Sequence, residues 1–132
     1  MIKAKIISEV VGSPENHVNK TLDLLMEKIK ERKDFVVSNE KRFEAEKMPD
    51  KPLYSGFWEY LIEFEKPESL VGFCFDFMPS SIEILGPLEI NLKSVMAADL
   101  FNELLARLHQ NELVLRNAMA QIMLLKREMT KR

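Results

Sequence analysis

A single cysteine, Cys74, excludes an internal disulfide, and with it the stapled frameworks on which small secreted domains depend. Histidine is nearly as scarce. His17 and His109 are the only two, they fall on different predicted helices, and neither stands at metal-ligand spacing from the cysteine. No run approaches the roughly 18 uncharged apolar residues of a membrane span. Met1-Ile2-Lys3-Ala4-Lys5 alternates apolar and charged residues where a secretory leader would have a continuous apolar core, so it reads as strand. Together these absences predict a protein of the reducing cytoplasm. Glutamine occurs only at Gln110 and Gln121 against abundant Lys and Glu, a bias typical of proteins from heat-loving organisms. An excess of positive charge is missing too: 19 Lys and Arg stand against 21 Asp and Glu. A dedicated nucleic-acid binder usually carries such an excess to displace condensed counterions.

What is present is an ordinary globular balance, 46% hydrophobic and 30% charged, in a chain of 132 residues that has room for one core. Ile2, Ala4, Ile6, Ser8 and Val10 alternate with Lys3, Lys5, Ile7, Glu9 and Val11, the period of a strand with one buried face. Gly12-Ser13-Pro14-Glu15 then signals a helix start, with Ser13 as cap and Pro14 in the first helical position. Val18, Leu22, Leu25 and Ile29 carry that helix to about Lys33. Phe35 to Lys47 and Tyr54 to Phe64 read as two strands of a hairpin, joined across the two prolines of Met48-Pro49-Asp50-Lys51-Pro52. In the first of them, Phe35, Val37, Phe43 and Ala45 are expected on one face and Arg42 and Glu44 on the other.

The segment from Pro67 to Met78 permits two readings. Phe73, Phe75 and Phe77 alternate with Cys74 and Asp76, which favours a strand, and Gly72 among clustered aromatics is poor helix material. Alternatively, Pro67 starts a short helix, giving the ferredoxin-like order βαββαβ. The strand is preferred, so the expected fold is α+β: a β-α-β-β-β, mostly antiparallel sheet with one packed helix over residues 1–87, ending in the short strand Ile82-Glu83-Ile84-Leu85.

Residues 88–132 contain neither Gly nor Pro and are expected to form a long amphipathic C-terminal helix used for oligomerisation. Phe101, Leu108, Leu115, Ile122 and Met129 recur every seven residues. Leu104, Asn111, Ala118 and Leu125 follow the first four by three. This is an a/d heptad pattern, with Asn111 as a polar residue able to fix register. Leu100, Leu105, Val114 and Met119 widen the stripe, and Leu113, Ala120, Met123 and Leu124 extend it to the back. A helix of that length would overhang a body of about 90 residues, which is roughly 25 to 30 Å across. An apolar overhang is most simply covered by the same helix of another chain. The alternative is two helices with a break near His109-Gln110-Asn111, folded back in two pieces onto Ile7, Val11, Phe57 and Leu61 of the sheet.

Sharper chemistry finds little support. Asp76 sits in the most apolar stretch, where desolvation would raise its pKa for acid-base work, but an edge position or a bond to the Pro79-Ser80-Ser81 turn accounts for it. Cys74 has no nucleophile signature around it and reads as structural. Gly12-Ser13 lacks the spacing of a dinucleotide or phosphate loop, and Glu15 stands where a phosphate would go. Gly56-Phe57 shares only a Gly-aromatic pair with RNA-binding sheets, and Glu59 stands where an aromatic should stack. The expected open face carries Lys3, Lys5, Glu9, Glu40, Arg42, Glu44, Glu59 and Glu63, mixed charge typical of a solvated sheet.

The sequence thus predicts a non-enzymatic homo-oligomeric scaffold or interaction module. It needs no cofactor or metal, and nucleic acid and membrane are not expected partners. The interface residues are Phe101, Leu104, Leu108, Asn111, Leu115, Ala118, Ile122, Leu125 and Met129. The second reading is an RNA- or ribonucleoprotein-associated module. The third is a small enzyme with a site between subunits, using Asp76 and Glu59.

Overall fold

A computed structural model describes residues 1–131. The chain divides into two compact units, Met1–Asn91 and Leu92–Arg132. The first unit is the α+β body. Its elements are β1 (Ile2–Gly12), α1 (Glu15–Glu31), β2 (Phe35–Lys47), β3 (Tyr54–Phe64), α2 (Pro67–Phe77) and β4 (Ser81–Gly86). The second unit holds α3 (Ser94–Thr130).

The four strands form one sheet in the order β2-β3-β1-β4, and every neighbouring pair is antiparallel. β1 lies inside the sheet, with Ile6 opposite Tyr60 of β3 on one side and Ile82 of β4 on the other. The β2–β3 hairpin closes with the Met48 N–H donating to the Leu53 carbonyl at 2.8 Å. Alternation along β1 sends Ile2, Ala4, Ile6 and Ser8 into the core, joined by Tyr60, Ile62 and Phe64 of β3. α1 contributes Val18, Leu22, Met26 and Ile29, the fully apolar face of an amphipathic helix.

Two sequence expectations about the helices are corrected. The first concerns residues 67–77, which form a helix and not a strand, so the order is βαββαβ and two helices pack on the sheet. Leu70, Phe73, Cys74 and Phe77 stand at helical spacing and meet the core together. Phe73 is fully buried, edge-on to Phe35 with centroids 5.4 Å apart and tilted against Phe64 at 5.8 Å. Pro67 takes the first helical turn and Met78 ends the helix in the left-handed conformation, its N–H donating to the Cys74 carbonyl at 3.0 Å. Burial of an aromatic face therefore outweighs the weak helix propensity of Gly72 and the phenylalanines. The second concerns α1. Pro14, not Ser13, is its N-cap, and no side chain caps it; the Pro14 carbonyl accepts from the His17 and Val18 N–H groups.

β2 departs from simple alternation as well. Its pairing with β3 shifts register between Ser38 and Lys41 and again between Phe43 and Glu46. Asn39 takes positive φ at the first shift. Each extra residue flips the faces. Phe43 consequently leaves the face of Phe35 and lies opposite Phe57, while Arg42 moves to the helix side opposite Trp58. There Arg42 donates to the Asn19 carbonyl at 3.0 Å, forms an ion pair with Asp23, and stacks over the Trp58 ring at 5.7 Å. Trp58 donates its indole N–H to the Leu22 carbonyl at 2.8 Å, and Asn19 Oδ1 accepts from the Ala45 N–H at 3.1 Å. These polar contacts hold β2 and β3 against α1.

Candidate functional site

α3 runs unbroken for 37 residues through His109, Gln110 and Asn111, which at 1.5 Å per residue makes it about 55 Å long. Glycine and proline are absent from it, so nothing interrupts the hydrogen-bond ladder. None of its residues is buried. The large apolar residues of the heptad stripe, Phe101, Leu104, Leu108, Leu115, Ile122, Leu125 and Met129, are each 44 to 75% exposed. Asn111 and Ala118, completing the stripe, are exposed as well. The helix brings all nine onto one side, because residues three, four and seven apart stack along a common line.

The flanks of the stripe carry charge. Arg107 pairs with Glu103 at 3.2 Å and Arg116 with Glu112 at 2.7 Å, both one turn apart. Such exposed pairs contribute only a few tenths of a kcal/mol each. On the opposite side of the helix, Ala106, Leu113, Ala120 and Leu124 form a second, thinner apolar line. An exposed 37-residue helix with apolar residues on two sides gains little from its own propensity. Helices in proteins owe most of their stability to packing.

The open face of the body's sheet is the other surface with chemical content. Phe43 and Phe57 stack there with centroids 4.3 Å apart and planes 12° from parallel. Beside them lies a hollow of about 300 Å³ lined by Lys5, Asn39, Glu40, Lys41, Glu59 and Leu61 among others. Lys5 Nζ sits 2.9 Å from Glu59 Oε1, and this contact holds the Glu59 carboxyl below its usual range and raises the lysine. Glu59 is thus a paired carboxylate and not a proton donor near neutrality.

The remaining sequence candidates stand apart. Asp76 is exposed and bound to Arg32 Nη1 at 2.8 Å, and Arg32 also grips Asp34 at 3.0 Å. Its partner is therefore Arg32 on the chain between α1 and β2. Hydrogen bonds from Arg32 lower the Asp34 pKa, and the two aspartates hold the guanidinium charged. The Cys74 thiol is half-buried and pushed up by burial, the reverse of an activated nucleophile. Glu59 and Asp76 are carried by β3 and α2, on opposite layers of the body. Among the described residues no group of three or more His, Cys, Asp or Glu side chains is placed to hold a metal ion. No helix among them is long and apolar enough to cross a membrane.

Sequence reasoning missed the stacked Phe43–Phe57 pair and the inward turn of Arg42, because both follow from register shifts in β2. The only available signal was Asn39, a residue tolerant of positive φ. Compared with known proteins, the chain matches the model of one protein family, the MJ0538 family, over residues 3–123. No curated protein and no solved structure matches.

Proposed function

The chain belongs to the MJ0538 family, and we propose that it is a non-enzymatic, cytoplasmic scaffold or interaction module that self-associates through α3. The observation that carries the proposal is the exposure of the whole heptad stripe from Phe101 to Met129. Monomeric proteins rarely leave contiguous apolar patches of more than a few hundred Å² open to water. A stripe about 42 Å long offers an area on the order of the ~800 Å² per partner that stable interfaces bury. Heptad spacing is what a second helix requires, since each a/d side chain seats between four residues of its neighbour.

The test is native mass spectrometry on the full chain and on the double variant Leu115→Asp/Ile122→Asp. The parent is expected at a clean multiple of the chain mass. The variant is expected as a monomer or as aggregate, because two carboxylates in the seam must be desolvated on pairing. A parent at the monomer mass, or a variant that keeps the parent's mass and solubility, defeats the proposal.

An RNA-associated role draws support from the stacked Phe43–Phe57 pair on an open four-stranded sheet, since aromatic platforms bind unstacked bases. It ranks second because Lys5 is already neutralised by Glu59 on that same face. It predicts an absorbance ratio shifted towards nucleic acid in protein purified at low salt. Extra mass in the same native spectrum would move this reading to first place.

A further inference from the structure

We infer that α3 pairs with α3 of a second copy in antiparallel orientation, with Leu108 opposite Leu125 and Leu115 opposite Ala118. This rests on the self-association proposed above and fixes what that reading leaves open, the direction and register of the partner. Self-association alone is compatible with either direction, because an apolar seam has no polarity of its own.

The charges on α3 supply the direction. Asp99 and Glu103 lie in the first third of the helix, and Lys126, Arg127 and Lys131 lie at its end. Asp99 and Arg127 continue the line of Ala106 and Ala120 away from the seam, so the two sets act through their long-range field. Antiparallel copies bring the acidic end of one helix to the basic end of the other, and the two helix dipoles then run in opposite senses, which is favourable. The flanks fix the register. With Leu108 against Leu125, Glu112 on one edge of the seam faces Lys126 of the other copy. On the other edge, Arg107 faces Glu128. Two-fold symmetry repeats both pairs. Sliding one helix by one heptad, so that Leu108 meets Ala118, turns Glu112 towards Met119 and Arg107 towards Gln121 and loses both pairs. Parallel alignment keeps only an Arg107–Glu112 contact and turns Lys126 towards Gln121. Like charges across a seam discriminate strongly even where opposite charges add little affinity.

Thiol cross-linking in the full chain decides the matter. Cys74 is first replaced by Ala, so that only introduced thiols react. Leu108→Cys and Leu125→Cys are then oxidised with oxidised glutathione, each alone and as an equilibrated mixture. A disulfide requires Cα atoms within about 7 Å. In the antiparallel pair the two Cys at position 108 lie about 25 Å apart, so neither variant links to itself. Only the mixture is expected to give the linked dimer. A variant that links to itself overturns the antiparallel orientation while leaving self-association standing. An oligomer with no link in the mixture overturns the register. A monomeric parent in the native mass spectrum removes the underlying reading as well.

A second set of variants avoids touching the seam. Glu112→Lys and Lys126→Glu are each expected to raise the dissociation constant by about tenfold at low salt. Combining them is expected to restore it. A double variant no better than the singles overturns the pairing of those two edges.

Discussion

Tyr60 is the largest buried side chain of the body, and its hydroxyl meets Ser8 Oγ at 2.7 Å inside an otherwise apolar layer. Each hydroxyl satisfies the other, so removing one leaves the other stranded. Tyr60→Phe is expected to lower the unfolding free energy by about 1–2 kcal/mol, read from denaturant curves. The same burial pushes the Tyr60 pKa up to about 12 from its ordinary value near 10. Only the unfolded chain ionises between those values, so the unfolded state is favoured as pH rises through that window. Stability from Tyr60 is full below pH 10 and is expected to fall by roughly 2–3 kcal/mol by pH 12, with Tyr60→Phe flattening that part of the profile. Gly56, on β3, is constrained from another direction. A Cβ there would lie 2.7 Å from Leu22 Cδ1 and 3.1 Å from the Phe43 carbonyl oxygen, which is backbone and cannot swing away. Gly56→Ala is expected to cost about 1–3 kcal/mol in the same measurement.

Among the elements, those that carry a simple period were legible in the sequence. β3 begins and ends where its alternation indicates, β2 has the expected bounds although its alternation breaks after Ser38, and α3 is as continuous as its lack of breakers implies. α2 was misread because three alternating phenylalanines satisfy the strand period while Leu70, Phe73, Cys74 and Phe77 satisfy the helical one. Eleven residues are too few for periodicity to separate the two, and only the packing of Phe73 against Phe35 and Phe64 does so. Gly72 offers a check on that element. A Cβ there meets nothing closer than Arg32 Nη2 at 3.9 Å, so Gly72→Ala is expected to raise stability by about 0.5–1 kcal/mol, the gain of a helix interior. The opposite signs expected at Gly56 and Gly72 separate a glycine kept for space from one that is merely tolerated. The faces of β2 were beyond sequence reading after Ser38, since a shift of register leaves composition unchanged.

For the molecule as a whole, the nine stripe residues identified from heptad spacing do share one helix and one side of it. The chemistry the sequence offered at Asp76 and Glu59 resolves into separate ion pairs. The two units imply different thermal behaviour. If α3 pairs, its melting midpoint is expected to fall when the protein is diluted, because dissociation is favoured by mass action. The body, held by its own core, is expected to melt at a temperature independent of concentration. Far-UV circular dichroism over a hundredfold range of dilution distinguishes the two transitions. β1 adds a consequence for how the chain is made. It leaves the ribosome before both of its neighbours, β3 and β4, whose residues emerge far later. Ile2, Ala4 and Ile6 therefore lack one neighbour until Phe64 has emerged and the other until Gly86 has. A strand made early is thus among the last to find its full complement of neighbours, and during translation the nascent chain depends on whatever shields that apolar strand in the interval.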